Sequence, residues 1–457
     1  MLTRIEIDGF KTFEKFSLDL GPFTVIVGPN ASGKSNLFDA IQLLARLAKD
    51  DIRTALKEMR GEPQELFRRQ SVGDSSKQIS FAVEVLINPK VRDPWGKEVN
   101  ITHTRIRYEI TIERRSDEND RERLIVVNEQ AIPIKFKEDR WRQLYRPSQK
   151  FRKLFLKYSR QKNFLSTEIE NGQPSFSIHQ EKTAGRKRFA QAGDATVLSS
   201  ITRAEFPHLF ALREEFRSWN FLQLDPASLR RPSSTMAPDV LLPDGSNLAT
   251  VLARIQAETK TDESIKGSIV DISADLAALI SGVMDVSINE DKKNREYRVD
   301  ILMREGFPFT SRVISDGTLR ILALLAMLHD PQRGGLICFE EPENGVHPSR
   351  LKALIGRLRE MVTQLSDTEA EAGEPLTQLL LNSHSPVALS VLQNEEIKFS
   401  DLVSIVEPNS NRVNYRTRIR PIKAKDQGEL FHEPKDYVTK FEVQQFLSAV
   451  EKEGAPE

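Results

Sequence analysis

The chain has 457 residues, of which 39% are hydrophobic and 29% are charged, a composition typical of a soluble globular protein. Lysine plus arginine and aspartate plus glutamate are equal at 66 each, so a nucleic-acid site would have to come from local clustering of charge. The longest apolar stretch, Ile321 to Leu328, is too short to span a bilayer, and the N-terminus lacks the apolar region of a secretory signal. The single cysteine, Cys338, excludes an internal disulfide, and we expect a cytoplasmic protein with no membrane partner.

The first 47 residues predict two strands followed by an amphipathic helix. Leu2 to Ile7 alternates with period two, as a half-buried strand does, and Phe23 to Val27 is a continuous apolar run typical of a central strand. The chain then turns at Gly28 to Ser35 into a segment with apolar residues at helical spacing, namely Leu37, Ile41, Leu44 and Leu47. A turn between a buried strand and a helix is where a phosphate-binding loop lies.

This turn, GPNASGKS, matches the Walker A pattern G-x-x-x-x-G-K-[ST]. Its glycines would let backbone N–H groups close around the α- and β-phosphates of ATP, at the positive end of the helix dipole. Lys34 would reach the β- and γ-phosphates, and the hydroxyl of Ser35 would bind Mg²⁺. The predicted ATP contacts in this loop are Gly28, Asn30, Ala31, Ser32, Gly33, Lys34, Ser35 and Asn36.

The middle of the chain has a different character. Arg105 to Glu113 and Arg123 to Ile134 predict the two strands of a hairpin. Residues 135–164 carry eleven lysines and arginines against two acids, interleaved with seven aromatic residues. This segment is either a nucleic-acid surface, with cations for phosphates and aromatics that stack on bases, or a long helix with inward aromatics and solvated charges. The cations proposed for nucleic acid are Arg142, Arg146, Lys150 and Lys153.

Two further strands in the last third of the chain end in residues suited to ATP chemistry. Leu336 to Phe339 runs into Glu340 and Glu341, as in a Walker B motif, where the first acid holds Mg²⁺ and the second polarises the attacking water. The alternative is an ordinary strand followed by an acidic loop. His384 follows the buried strand Leu376 to Leu381, at the carboxyl end where ligands of α/β proteins bind, and we expect it to contact the γ-phosphate.

The segment SDGT, Ser315 to Thr318, opens a strongly apolar helix that extends to Leu328. Serine is a good helix N-cap, which would explain this residue without any ligand. The other interpretation is that this helix N-terminus binds a phosphate of an ATP molecule held by a second subunit.

Together, GPNASGKSN, SDGT, EEPENGVHP and NSHSP resemble, in order and spacing, the ABC-type ATPases of the RecF, SMC and OLD group, and more narrowly the bacterial RecF-like proteins without long coiled coils. Leu2 to Ala45 and roughly Leu241 to Leu392 carry this resemblance. It implies an α/β, ABC-type P-loop ATPase head, a mixed sheet flanked by helices that is split by a central α+β insertion. The expected division is an N-terminal lobe at 1–95, the insertion at 96–235 and a C-terminal lobe at 236–457.

The resemblance also implies roles for individual residues. Lys34 and Ser35 belong to Walker A, Glu340 and Glu341 to Walker B with Glu341 as catalytic base, and His384 is the switch histidine. The signature motif, with Ser315, Asp316 and Gly317 as ATP contacts, would meet the P-loop of a second subunit in a head-to-tail homodimer holding two ATP molecules. Glu340 and Asp316 stand where most relatives have aspartate and glycine, which suggests slow or partner-stimulated hydrolysis.

One element of the resemblance stays open. Relatives sense the γ-phosphate and Mg²⁺ with a glutamine, and both Gln70 and Gln78 precede the predicted strand Ile79 to Ile87. We name Gln70 as the metal candidate and keep Gln78 as the alternative.

The expected function is that of a clamp or switch, in which ATP-driven dimerisation acts on DNA or on a separate effector protein in phage defence or DNA repair. No Asp-x-Asp pair follows His384, so a TOPRIM-type nuclease domain within the chain is not expected. One alternative is a low-turnover nucleotide-binding scaffold for a toxin or effector. Another is the nucleotide-binding subunit of a transporter, although there the signature lies far closer to the P-loop.

Overall fold

The computed structural model describes residues 1–71, 74–93, 95–116, 122–179, 186–190, 193–344, 346–366, 374–406, 413–422 and 437–445. The strands are β1 Leu2–Asp8, β2 Phe16–Asp19, β3 Phe23–Val27, β4 Arg69–Ser71, β5 Asp74–Ser75, β6 Gln78–Leu86, β7 Lys90–Arg92, β8 Glu98–Asn100, β9 Arg105–Ser116, β10 Glu122–Pro133, β11 Leu165–Glu170, β12 Gln173–His179, β13 Arg186–Ala190, β14 Asn220–Leu222, β15 Ser233–Ser234, β16 Val283–Asp291, β17 Glu296–Met303, β18 Pro308–Thr310, β19 Gly335–Glu340, β20 Thr377–Ser383, β21 Ile397–Val406 and β22 Val413–Pro421.

The α-helices are α1 Lys34–Leu47, α2 Ile52–Lys57, α3 Arg140–Tyr145, α4 Gln149–Phe155, α5 Val197–Ser200, α6 Pro207–Arg217, α7 Pro226–Leu229, α8 Leu248–Thr259, α9 Ile269–Leu279, α10 Asp316–Leu328, α11 Pro348–Glu360 and α12 Pro386–Val391. Short 3₁₀ helices span Pro63–Leu66, Ser311–Val313 and Asn394–Glu396. Within the described residues, no helix is long and apolar enough to cross a membrane.

A six-stranded sheet forms the centre of the molecule, with strand order β14-β19-β20-β3-β21-β22. Its first five strands pair in parallel, and β22 closes one edge antiparallel to β21. The carboxyl ends of parallel strands meet at the same edge of a sheet. Strands β3, β19 and β20 therefore bring the P-loop, Glu340 and His384 together, and the mixed α/β fold predicted from the sequence is confirmed.

Successive side chains of the central strands pack into two hydrophobic cores, one on each face of this sheet. Leu336 and Cys338 of β19 pack on the face covered by α1 and a second sheet, whereas Ile337 and Phe339 pack on the face covered by α8 to α11. Successive side chains of a strand point to opposite faces, and here both faces are apolar, which explains the unbroken hydrophobic run of the sequence. Cys338 is buried and reduced, as a small core residue.

The second sheet has eight strands, in the order β13-β12-β11-β10-β9-β6-β1-β2. The predicted hairpin of the middle region is confirmed as β9 and β10, which pair antiparallel. Strand β9 also pairs with the whole length of β6. The sheet therefore runs across the predicted boundary between residues 95 and 96. Strand β14, also from the expected insertion, pairs with β19 in the central sheet.

The basic, aromatic-rich segment 135–164 agrees with the second interpretation in its inward aromatic residues and exposed cations, but not in its single long helix. It forms two short helices, α3 and α4, in place of one long helix, because Pro147 follows a left-handed C-cap at Arg146. Trp141, Phe151 and Phe155 are buried, and the indole Nε1 of Trp141 donates to the carbonyl of Leu20 at 3.1 Å. These three buried rings cannot stack on bases, whereas Phe136 is 51% exposed. Binding of nucleic acid by the segment stays a prediction.

Candidate functional site

The P-loop turns between β3 and α1 in a conformation that requires glycine. Gly33 has φ of 93°, and a Cβ there would lie 1.9 Å from Oγ1 of Thr417. A Cβ on Gly28 would lie 2.3 Å from the carbonyl oxygen of Ser400. The hairpin of β21 and β22 thus packs directly against the loop, and any larger residue would push the two apart.

Other contacts fix the loop to its surroundings. Ser400 Oγ donates to the carbonyl of Ser32 at 2.9 Å, and Asn36 Nδ2 donates to Thr12 Oγ1 at 3.0 Å. Ser32 Oγ is buried and has no hydrogen-bond partner among the described residues. An unsatisfied buried hydroxyl beside a helix N-terminus is suited to an anionic oxygen, so this loop fits the triphosphate of ATP.

Lys34 is buried at the start of α1, and its Nζ donates to the carbonyls of Gly28 and Pro29, each at 2.7 Å. Burial lowers the pKa of Lys34 to about 8, and the negative charges of three nearby glutamates oppose that shift. In order of influence they are Glu341, Glu343 and Glu340. The charge of Lys34 therefore interacts with the Walker B candidates, although Lys34 follows β3 and the glutamates follow β19.

Glu341 follows the end of β19 in a left-handed conformation, with φ of 52°. Its N–H donates to both the backbone oxygen and Oδ1 of Asn382, each at 3.1 Å. Its Oε2 accepts a 2.6 Å hydrogen bond from Asn344, and its Oε1 lies 3.2 Å from Nδ1 of His384. A strained backbone at a non-glycine residue, held by this many contacts, is a feature of functional sites. The structure thus brings Glu341 and His384 together.

Glu343 was not singled out from the sequence. Its Oε1 accepts a 2.6 Å hydrogen bond from Ser383 Oγ, and its Oε2 is buried without a hydrogen-bond partner in the described part of the chain. It also acts on the charge of Lys34. The third glutamate of the EEPE segment was the available signal, but only the fold shows that it turns back towards β20.

The Mg²⁺ prediction rests on Ser35 and Glu340, which lie at the start of α1 and the end of β19. The described residues contain no cluster of three or more histidine, cysteine, aspartate or glutamate side chains arranged for a metal. Mg²⁺ in nucleotide sites needs only one or two protein ligands, because phosphate oxygens and water supply the others. Ser35 and Glu340 fit that kind of site.

Neither glutamine is shown near this site. Gln70 lies in β4, and its side chain falls outside the described residues. The side chain of Gln78 is exposed and donates to Glu113 at 2.6 Å. The choice between the two stays a prediction.

The signature candidates lie at the N-terminus of α10. Ser315 caps the helix, with Oγ accepting from the N–H of Thr318 at 3.3 Å. Asp316 is exposed and forms an ion pair with Arg230, which also donates to the carbonyl of Ile314 at 3.1 Å. Among the described residues, these polar contacts all lie near α10 and none involves the P-loop. Arg230, which the sequence did not indicate, offsets the charge of Asp316.

The four cations proposed for nucleic acid differ in accessibility. Arg142 is half-buried, with its guanidinium 4.0 Å from the ring centre of Phe136. Arg146, Lys150 and Lys153 are exposed. These three side chains can meet phosphates, whereas Arg142 is already packed.

Two family models match the chain. One, described as "AAA domain, putative AbiEii toxin, Type IV TA system", matches residues 142–390, and the other, described as "AAA ATPase domain", matches residues 1–194. Chromosome partition protein Smc of Methanocaldococcus jannaschii is 61% identical over 41 residues, 9% of this chain and 4% of that protein. OLD nuclease of Thermus scotoductus is 46% identical over 44 residues, 10% of this chain and 8% of that protein. The matches thus span small parts of both relatives.

Among solved structures, an SMC head bound to the winged-helix domain of ScpA has a TM-score of 0.45 and 14% identity, covering 92% of this chain and 98% of that chain. The SMC head domain from Thermotoga maritima has a TM-score of 0.38 and 12% identity, with coverage of 93% and 99%. The first family model covers more than half of the chain. The chain therefore belongs to this AAA-domain family, and it is an ATP-binding protein of the SMC-, RecF- and OLD-like ABC type.

Proposed function

We propose that the protein is an ATPase that closes into a head-to-tail homodimer when ATP binds and reopens after hydrolysis. The observation that carries this proposal is the position of Ser315 and Asp316, which are exposed and make their polar contacts away from the P-loop of the same chain. A helix N-terminus suited to phosphate is left for the ATP of a second copy.

The surface beside this helix N-terminus supports an interface. Phe307, Phe309 and Val313 are 69%, 40% and 68% exposed, and all three lie within nine residues of Ser315 in the chain. Exposed apolar residues grouped beside a polar site are a common feature of protein–protein contact surfaces. In the proposed dimer they would be covered by the partner subunit.

In the proposed reaction, Lys34 leaves the carbonyls of Gly28 and Pro29 and donates to the β- and γ-phosphates. Glu341, held by Asn344, accepts the proton of the attacking water as the bond between the γ-phosphorus and the bridging oxygen breaks. Mg²⁺ held by Ser35 and Glu340 would supply neutralisation of the phosphate charge. Nδ1 of His384 lies 3.2 Å from Oε1 of Glu341, close enough to orient that carboxylate, and we expect the imidazole to contact the γ-phosphate of bound ATP.

The output of the cycle is proposed to be control of a separate effector or of DNA, in phage defence or DNA repair. The effector is favoured by a family description that names a toxin of a type IV toxin–antitoxin system. DNA is favoured by the exposed cations Arg146, Lys150 and Lys153, and by relatives named for chromosome partition and for nuclease activity. A low-turnover scaffold for a toxin is the second candidate, supported by the same family description.

The test compares ATP turnover and oligomeric state in the wild type, Lys34→Ala and Glu341→Gln. We expect Lys34→Ala to lose ATP binding, and Glu341→Gln to bind ATP, lose turnover by about 10²-fold or more, and sediment as a dimer only with ATP. A monomeric Glu341→Gln at saturating ATP would reject the dimer. Wild-type turnover no higher than that of Lys34→Ala would reject the enzyme and leave the scaffold.

DNA is tested separately with Glu341→Gln, with and without ATP, across a salt series. Charge reversal of Arg146, Lys150 and Lys153 should weaken binding and flatten its salt dependence by about one unit of slope for each phosphate that the variant no longer neutralises. Each reversal is made singly and compared with reversal of Lys352, an exposed lysine on α11 that undergoes the same charge change. Equal binding by the three variants and the Lys352 control would remove DNA from the proposal.

A further inference from the structure

A cavity of about 520 Å³ lies at the amino ends of the central strands, opposite the end that carries the P-loop. Its wall includes Arg46 and Lys49 at the end of α1, Asn220 at the start of β14 and Gly334 just before β19. Because these parallel strands begin here and end at the ATP site, the two sites occupy opposite edges of the sheet. Helix α1, with 14 residues, separates them by about 20 Å.

Three of the elements that carry the ATP motifs reach this cavity with their other ends. Helix α1 begins with Lys34 and contributes Arg46. Strand β19 ends at Glu340 and contributes Ile337. Helix α10 is capped by Ser315 and contributes Met327. A group bound in the cavity therefore touches the same rigid elements that position the Walker A, Walker B and signature candidates.

Three cations, Arg46, Lys49 and Arg217, line one side of the cavity. Arg217 also forms an ion pair with Glu214 at 3.0 Å, which neutralises part of the charge. Within the described residues, Nε of Arg46 is buried with no hydrogen-bond partner, although another nitrogen of its guanidinium pairs with Glu58. The pKa of Lys49 is lowered by burial and then by the neighbouring charge of Arg217. The negative charges of Asp50 and Glu214 oppose this shift. A lysine whose pKa is lowered beside two arginines is suited to an anion that would relieve their repulsion.

The rest of the wall mixes apolar with polar residues. Its apolar part includes Trp219, Leu241, Ile337 and the largely exposed Val240. The acid at this end of α10, Asp330, is already held by two bonds from Arg254, at 3.0 and 2.5 Å. Pockets of this volume, mostly apolar with a few convergent polar groups, hold small organic ligands.

We propose that this cavity binds a small organic anion, in which a phosphate meets Arg46, Lys49 and Arg217 and a ring or chain lies on the apolar wall. Its binding is coupled to the ATP site through α1, β19 and α10. The coupling is reciprocal, so an anion that changes the affinity for ATP has its own affinity changed by ATP to the same degree.

The test uses AMP and inorganic pyrophosphate as probes, measured by calorimetry in the Lys34→Ala protein so that the P-loop does not contribute. We expect AMP to bind, pyrophosphate to bind more weakly for lack of a ring, and Lys49→Glu and Arg217→Glu each to weaken AMP about tenfold. Lys352→Glu, with the same charge change on α11, should leave AMP binding unchanged. Melting temperatures of all variants show that they fold.

Absence of AMP binding, or equal AMP affinity in Lys49→Glu and Lys352→Glu, would overturn the site. Binding of a poly-glutamate peptide but of neither small anion would overturn it as well and assign the groove to a protein segment. The coupling is tested with Lys34 intact, by measuring the affinity for ATP with and without saturating AMP. A change that Lys49→Glu abolishes supports the coupling, and the same change in wild type and Lys49→Glu overturns it, because AMP would then act at the P-loop.

Discussion

The buried position of Lys34 predicts that ATP affinity depends on pH. With its pKa at about 8, the free protein holds this lysine about nine-tenths protonated at pH 7 and about one-tenth protonated at pH 9. A triphosphate beside the ammonium group would raise its pKa well above 9. The apparent dissociation constant for ATP should therefore rise about tenfold from pH 7 to pH 9, which corresponds to about 1.4 kcal/mol.

Calorimetry of ATP binding in buffers with different ionisation enthalpies measures both the affinity and the proton uptake, which should reach about 0.9 proton at pH 9. Lys34→Arg is the matched control, because a guanidinium stays protonated over this range and removes the pH dependence. An affinity that is constant from pH 7 to pH 9, with no proton uptake, would refute the argument. So would an equal pH dependence in Lys34→Arg.

Three further predictions follow from other contacts. Arg230→Ala should weaken ATP-dependent self-association about tenfold by exposing the charge of Asp316, and adding Asp316→Asn should restore it, as sedimentation would show. Arg105→Met removes the guanidinium that holds the fully buried Asp139 by two hydrogen bonds, and it should lower the free energy of unfolding in urea by about 3–5 kcal/mol. Arg69→Met, which breaks an exposed ion pair, should lower it by less than about 1 kcal/mol. Burial raises the pKa of Glu129 to about 7, so the folded state keeps a proton that the unfolded state loses near pH 4.5, and stability should fall by about 2.5 kcal/mol between pH 5 and pH 8. Glu129→Gln should flatten that profile; a wild-type stability that rises over the same range would contradict the assigned shift.

The local motifs were predictable because each depends on a short stretch of chain. Strand Phe23–Val27, the glycine turn and helix α1 follow one another within 25 residues, and their hydrophobic periods identify them without any partner. The same holds for β19 with Glu340 at its end. Their meeting at one sheet edge was also expected, since parallel strands align their carboxyl ends.

The sequence left the interpretation of residues 135–164 open because it depends on which face of the segment is buried. The aromatic residues of 135–164 have the composition of a nucleic-acid surface, yet Trp141, Phe151 and Phe155 pack inward beside Met1 and Leu86. Amino-acid composition does not show which side chains face the core, because a short helix can present either its cations or its aromatic rings to solvent. Only the packing partners, which come from distant parts of the chain, decide it.

By itself, the sequence determined the P-loop and the strand ends that carry Glu340 and His384. Hydrophobic periodicity, the glycines of a turn and the polar residues after a strand are all patterns of a few neighbouring residues. The tertiary structure alone decided that Thr417 closes on Gly33, that Ser383 holds Glu343, and that Arg230 offsets Asp316. These pairs are separated by 40 to 384 residues, and no local pattern specifies such contacts. They form only when burial of the two cores fixes the arrangement of the sheets, which is a property of the whole chain.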